Sequence, residues 1–359
     1  MSRLLAFGLV ILLSANVCKS IAQTDVNYRD KQIHYMGRVA YRDSAAVLTW
    51  SASSVVILFD GTGAKATLQD ESGYDYVTVL VDDKVVNTIR PETIKKEYNL
   101  ISGLPSGPHK LELFKRTEYD MGRLLFYKFT LDGTSKLLPP PVYKHRIEFY
   151  GNSITCGYAI EDLEKKDRGT FEFENGFKSY ATITARHFNS DLSIIAKSGI
   201  GITVSWFNYV MPDIYNLTDA KLPASFWDFT QYTPEVVVVN LFQNDSWIVR
   251  QPENEQFKAR FGGKAPDPDF IINAYQNFIG NIRSKYPSAT IICALGSMDA
   301  TKKGSAWPGY IKKAVSDLKD KKVVTCFFTY KDTSGHPSAE EQQIMADQLI
   351  SFIHKKMNW

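Results

Sequence analysis

A serine and a histidine far apart in the chain carry the first chemical signal. Ser153 lies in Tyr150-Gly151-Asn152-Ser153-Ile154-Thr155-Cys156-Gly157, directly after the apolar run Ile147–Tyr150. A serine in a glycine-rich strand-to-helix turn stands above the sheet, beside the N–H groups of a helix start. The stretch is not a Gly-x-Ser-x-Gly elbow, because Thr155 occupies the place of the second glycine. Of the six histidines, only His336 falls between the last expected strand and the last helix, within Lys331-Asp332-Thr333-Ser334-Gly335-His336-Pro337. An imidazole placed there could take the proton of a serine hydroxyl and prepare it to attack an acyl carbon.

Two more strand ends offer donors for the negative charge that such an attack creates. Ser198-Gly199-Ile200-Gly201 has bare glycines, which let a backbone N–H approach a ligand closely. Asn244, in Asn240-Leu241-Phe242-Gln243-Asn244-Asp245, could point an amide N–H at the same spot. Taken singly, each element is explained by turn chemistry: a glycine turn, an asparagine helix cap, a capping histidine. Together they sit at the carboxyl ends of strands in one parallel sheet, where ligands of such sheets bind. Cys156 is a weaker nucleophile candidate, since it lies inside the helix start and not at the turn.

The elements that must position these residues follow from periodicity. After residue 144, apolar runs at Ile147–Tyr150, Ser193–Ala196, Val236–Leu241, Thr290–Leu295 and Val323–Phe328 alternate with helical segments such as Phe270–Tyr286 and Trp307–Leu318. Continuous apolar strands alternating with helices predict a five-stranded parallel sheet covered on both faces. Ser338 with Glu341 three residues on predicts a capped last helix, with Ile344, Leu349, Phe352 and Ile353 on its apolar face. Residues 24–138 read instead as short strands, including Ala46–Leu48, Val55–Phe59, Tyr76–Val81 and Lys110–Phe114. Their spacing, broken by Asp60-Gly61, Ser72-Gly73 and Pro105-Ser106-Gly107, predicts an all-β sandwich or jelly roll. Pro139-Pro140-Pro141 lies in a stiff linker, 139–144, and the second domain runs 145–359.

Residues 1–22 read as a secretory signal peptide: Arg3, the apolar Leu4–Leu13, then Ser20-Ile21-Ala22 before Gln23. The apolar core is too short for a membrane span, and no later stretch supplies one. A lipoprotein site at Cys18 has a poor lead-in, so the mature chain is expected to be secreted or periplasmic. The formal charge is 42 − 39 = +3, which argues against a nucleic-acid partner. Three widely spaced cysteines, Cys156, Cys293 and Cys326, make no disulfide framework, and Cys293 and Cys326 read as buried hydrophobes. No CxxC, HExxH or histidine-rich tract supports a metal. The residue pattern sets no oligomeric state.

Ser153, Gly199, Asn244 and His336 resemble the four blocks of the SGNH (GDSL) hydrolases. The segment Ile147–Tyr158 is similar to the nucleophile block of carbohydrate esterase family 2, which joins a jelly roll to an SGNH domain, and Phe114-Lys115-Arg116-Thr117-Glu118 resembles a segment of that family's jelly roll. The resemblance covers nearly the whole mature chain. It implies a flavodoxin-like three-layer second domain and an esterase that removes acetyl groups from polysaccharides such as xylan or mannan, through an acetyl-serine and with no cofactor. It also implies an oxyanion site of the Ser153 and Gly199 N–H groups and the Asn244 amide. Trp206, Trp247 and Trp307 are candidates by residue type to stack on sugar rings, although tryptophans are more often core.

Three departures stand out. Asn152 replaces the usual aspartate. Phe242 replaces the usual glycine, which suggests a ring beside the oxyanion site that narrows the acyl pocket. The aspartate usually three residues before the histidine is Thr333, with Asp332 one place further off, so a Ser–His dyad is expected and Asp332 is the possible orienting acid. The alternative reading is a carbohydrate-binding protein whose SGNH domain has decayed. An SGNH hydrolase of lipids or thioesters is a weaker third. Asn244-Asp245-Ser246 is also a glycosylation sequon.

Overall fold

The computed structural model of the chain describes residues 23–133 and 135–359. The signal-peptide reading of residues 1–22 lies outside the described residues. Strands between Thr24 and Leu137 form two six-stranded antiparallel sheets. Leu124–Leu131 is central to one, between Ala45–Leu48 and Ala64–Asp70; Pro108–Lys115 is central to the other, between Ser54–Asp60 and Val77–Val81. Their inner faces share one core, with Val55, Ile57, Phe59 and Leu113 from one sheet meeting Ala66, Leu68, Leu124 and Phe126 from the other.

The central strands of the second sheet, Ser54–Asp60, Val77–Val81 and the second half of Pro108–Lys115, are buried on both faces, which simple alternation does not predict for a free-standing sandwich. The reason is the neighbouring domain. Val56, Leu80 and Phe114 point the other way, into a core shared with Ile147, Phe149, Ala181 and Ala185. The jelly roll is therefore docked through a sheet face and not only joined through the proline connector.

From His145 onward the chain forms a five-stranded, all-parallel sheet. The order is Ser190–Ala196, His145–Gly151, Val236–Asn240, Thr290–Leu295, Val323–Phe327. The first strand lies between the second and third, so the connections leaving it diverge and open a crevice above its carboxyl end. One face is covered by the helices Pro268–Lys285 and Trp307–Leu318, through Tyr275, Phe278, Ile282 and Ile311. The other is covered by Tyr180–His187 and Ala339–Met357, through Tyr180, Ala185, Met345 and Leu349.

Ser338 caps the last helix in a capping box with Glu341, as its spacing predicts. Its apolar face is corrected by one position, however. Ile344 is 55% exposed, and Met345 and Ala346 take the buried places beside Leu349 and Ile353. Among the described residues no helix is long and apolar enough to cross a membrane.

Candidate active site

The first strand turns into a helix within two residues. At Gly151 a Cβ would stand 2.0 Å from the Thr155 hydroxyl, so only glycine permits the turn. Asn152 then caps the short helix Ser153–Cys156: its side-chain oxygen accepts from the Ile154 N–H at 3.1 Å, and its carbonyl accepts from Thr155 and Cys156. Asparagine meets the cap's needs as well as aspartate would, which accounts for its acceptance at this position. The turn leaves the Ser153 Oγ 2.8 Å from His336 Nε2.

His336 Nδ1 faces a carboxylate, but not the expected one. Asp167 Oδ1 and Oδ2 lie 2.9 and 3.1 Å from it, and Oδ1 also accepts the His336 backbone N–H at 2.8 Å. Asp332 is exposed and makes no hydrogen bond to His336. Thr333, at the usual aspartate position, bonds instead to Glu341 and Lys331. The dyad expectation is corrected: Ser153, His336 and Asp167 form a continuous relay. Burial alone would raise the Asp167 carboxyl. Hydrogen bonds from the His336 ring and backbone N–H, together with the nearby positive charge of Lys331, outweigh it and hold the carboxyl below its ordinary range.

Asp167 arrives on the long excursion between the nucleophile helix and Tyr180–His187, where it adopts φ +58°. Asp162 holds that loop by accepting from the Lys166 and Arg168 N–H groups and the Arg168 guanidinium. The Tyr158 ring, 4.2 Å from the imidazole, packs so closely on Gly169 that a Cβ there would overlap it at 1.9 Å. A 620 Å³ cavity runs along the outer side of Asp167 and His336, lined also by Ile160, Leu163 and Gly335.

Two of the three donors expected for an oxyanion are backbone N–H groups that bond to nothing else among the described residues. Gly199 sits at φ +83°, and a Cβ there would press on Phe207 and Trp206 at 3.2 and 3.3 Å. Among the described residues, neither the Ser153 nor the Gly199 N–H has an acceptor. The Asn244 amide is 2% exposed, donates to the Ile200 carbonyl at 2.8 Å and accepts from the Trp206 indole at 3.1 Å. Those two partners fix its orientation and leave its second N–H without a protein acceptor. Such burial also removes Asn244 as a glycosylation site. Asp245, which sequence reasoning passed over, accepts from the Ile202, Thr203 and Val204 N–H groups and so shapes the loop beyond Gly199.

Two pocket expectations fail. Phe242 is fully buried, with its ring 4.8 Å from Tyr275 and 5.0 Å from Trp307, inside the core beneath the sheet. Its backbone is at φ +83°, which is why glycine suits the position; the departure concerns backbone conformation and not the acyl pocket. Trp307 is 3% exposed and belongs to the same core. Trp247 is half-buried, packs on the opposite core and donates to Asp299. Trp206 is 44% exposed and sits beside Gly199, with its indole N–H on the Asn244 amide. Cys156 is fully buried, and burial pushes its thiol well above the usual range, so it offers no nucleophile. Cys293 is buried too, while Cys326 is only partly so.

Comparison with known proteins agrees with this architecture. Residues 35–141 match the family described as "Carbohydrate esterase 2 N-terminal". A family two carbohydrate esterase from Clostridium thermocellum, solved with cellohexaose, is 33% identical, with 91% of this chain and 99% of that one covered and a TM-score of 0.81. Cellulase/esterase CelE of Acetivibrio thermocellus is 34% identical over 339 residues, which are 91% of this chain but only 40% of CelE. An acetylxylan esterase / glucomannan deacetylase of Cellvibrio japonicus is 28% identical, with 97% of this chain and 98% of that protein covered. With a docked jelly roll, an SGNH-type sheet and these relatives, the chain belongs to carbohydrate esterase family 2, a family of carboxylic ester hydrolases.

Proposed function

We propose that the protein is an exported O-acetyl esterase acting on acetylated plant-type polysaccharide or oligosaccharide. The observation that carries this reading is the relay from Ser153 Oγ through His336 to Asp167, with acceptor-free N–H groups at Ser153 and Gly199. His336 takes the Ser153 proton as Oγ attacks the acetyl carbonyl. The oxyanion is held by the Ser153 and Gly199 N–H groups and the free N–H of Asn244, each such donor supplying roughly 3–4 kcal/mol in the transition state. The sugar alkoxide leaves with the proton from His336, and water repeats the cycle on the acetyl-serine. No step calls for a cofactor. Asp167, kept ionised, stabilises the imidazolium.

The substrate class is supported by the cellohexaose bound to the C. thermocellum relative and by the activities named for the C. japonicus one. In this reading Trp206, exposed beside Gly199, stacks on a sugar ring of the substrate; its exposure supports that role. An aligned relay speaks against a decayed domain, and Phe242 no longer supports one. The test is acetate release from acetylated xylan and glucomannan, with 4-nitrophenyl acetate as a small ester. The wild-type protein should hydrolyse them, and Ser153→Ala should lose about 10⁶-fold in kcat without unfolding. Retained turnover in that variant, or none in the wild type, would overturn the reading. Export predicts a mature chain beginning at Gln23, which N-terminal sequencing of the exported protein checks.

A further inference from the structure

Three consecutive jelly-roll residues, Glu118, Tyr119 and Asp120, reach across the domain boundary to the loop that carries Gly199. The Glu118 side chain is almost fully buried, and its Oε2 accepts the Ser198 N–H at 2.6 Å and the Cys156 thiol at 3.5 Å. Cys156 ends the helix that Ser153 begins, and Ser198 is the residue before Gly199. One carboxylate oxygen thus ties together the two elements that supply the acceptor-free N–H groups. Beside it Lys197 pairs with Asp120 and lies 4.1 Å above the Phe207 ring, while Tyr119 bonds to Tyr209.

We propose that Glu118 is a positioning residue of the esterase site, an acceptor lent by the jelly roll that aims the Gly199 N–H at the oxyanion. This inference rests on the esterase reading above. Gly199 needs such a hold because its left-handed backbone is free to relax in the absence of a Cβ. A carboxylate this close to a developing oxyanion would oppose it, and the site offsets that charge. Lys197 stays protonated: burial would lower it, but Glu118 and Asp120 raise it further. Glu174, whose carboxyl oxygen accepts the Glu118 backbone N–H, is pushed well up by burial and by Glu118 itself. The same segment also reaches the acid's loop. Arg116 donates to the carbonyls of Glu174 and Glu172 at 2.7 and 3.0 Å, beyond Asp167 in the chain. The jelly roll therefore braces the donor side and the acid side of the site at once.

The experiment compares Glu118→Gln, which keeps an acceptor oxygen, with Glu118→Met, which fills the space without one. Both are assayed on 4-nitrophenyl acetate, with thermal unfolding as the control. The acceptor role predicts that Met lowers kcat about 10²-fold with little change in KM, as expected for a misplaced group acting only in the transition state. Gln should restore kcat to within about threefold of wild type. The proposal is overturned if folded Met keeps wild-type kcat, if Gln falls as far as Met, or if Met does not fold, which would make Glu118 a folding residue. Failure of the esterase reading looks different: the wild-type protein itself would then be inactive on the ester.

Discussion

His336 needs its Nδ1 hydrogen held so that Nε2 faces Ser153, and Asp167 meets that need twice, at the ring and at the backbone N–H. The double contact sets both the tautomer and the position of the loop. Asp167→Asn should therefore lower kcat by about 10⁴-fold, the size of effect seen when a triad loses its carboxylate charge. Asp332→Asn should stay within about twofold, as an exposed substitution away from the relay. Steady-state kinetics on a small acetate ester separates the two, and equal losses would return the acid's role to Asp332. Phe242 gives a second expectation at this scale. Phe242→Gly relieves a left-handed phenylalanine but empties a core position beside Tyr275 and Trp307. The net cost should be about 2–4 kcal/mol of stability, the lost ring outweighing the relieved backbone. The acyl-chain preference should not change, and a broadened chain-length profile would place the ring back in the pocket.

The elements around the site are held by buried polar groups as much as by apolar packing. Glu174, at the end of the Asp167 loop, is fully buried with one carboxyl oxygen unpartnered. Burial first, and Glu118 second, raise its pKa well above the ordinary glutamate value. Its folded-state pKa exceeds its unfolded one. The stability it contributes is thus complete below the ordinary glutamate range, near pH 4, and is lost as pH rises towards the folded value. Glu174→Gln removes that loss while keeping an acceptor for the Glu118 N–H. The melting temperature of the variant should gain on the wild type as pH rises above about 4, the ordinary glutamate range. A gap independent of pH would show that Glu174 is ionised in the native protein.

At the scale of the whole molecule, the two domains share polar groups that neither could bury alone. Arg38, from the jelly roll, is 1% exposed and donates to the Tyr215 and Leu217 carbonyls at 2.6 and 3.0 Å. It also reaches the Tyr150 hydroxyl and the Glu148 carboxylate, at the centre of the parallel sheet. Glu148 in turn accepts from Tyr286 and Ser193. Removing one partner leaves the other as a buried charge, which typically costs 3–5 kcal/mol. Arg38→Met should lower the unfolding free energy by about that amount in urea titrations. A loss below about 1 kcal/mol would mean that the interface tolerates an unpaired Glu148 and that the docking is chiefly apolar.

Much of this protein was legible in residue order because the signals are local. Gly151 and Asn152 dictate a strand-to-helix turn that exposes Ser153, Ser338 and Glu341 cap the final helix, and the apolar runs after residue 144 can only be strands of a covered parallel sheet. Each depends on backbone geometry within a few neighbours. What tertiary structure alone decided are meetings between distant segments. Asp167 reaches His336 across 169 positions, and Glu118 reaches Ser198 across 80. No periodicity marks a loop acid, and carboxylates on loops are usually solvated surface. Phe242 and Trp307 went astray for a related reason: side-chain direction at a strand end follows from the backbone angle and from what packs below, and residue type reports neither. Ser153 and His336 were written into their own turns, but the third member of the relay was chosen by how the loop folds back.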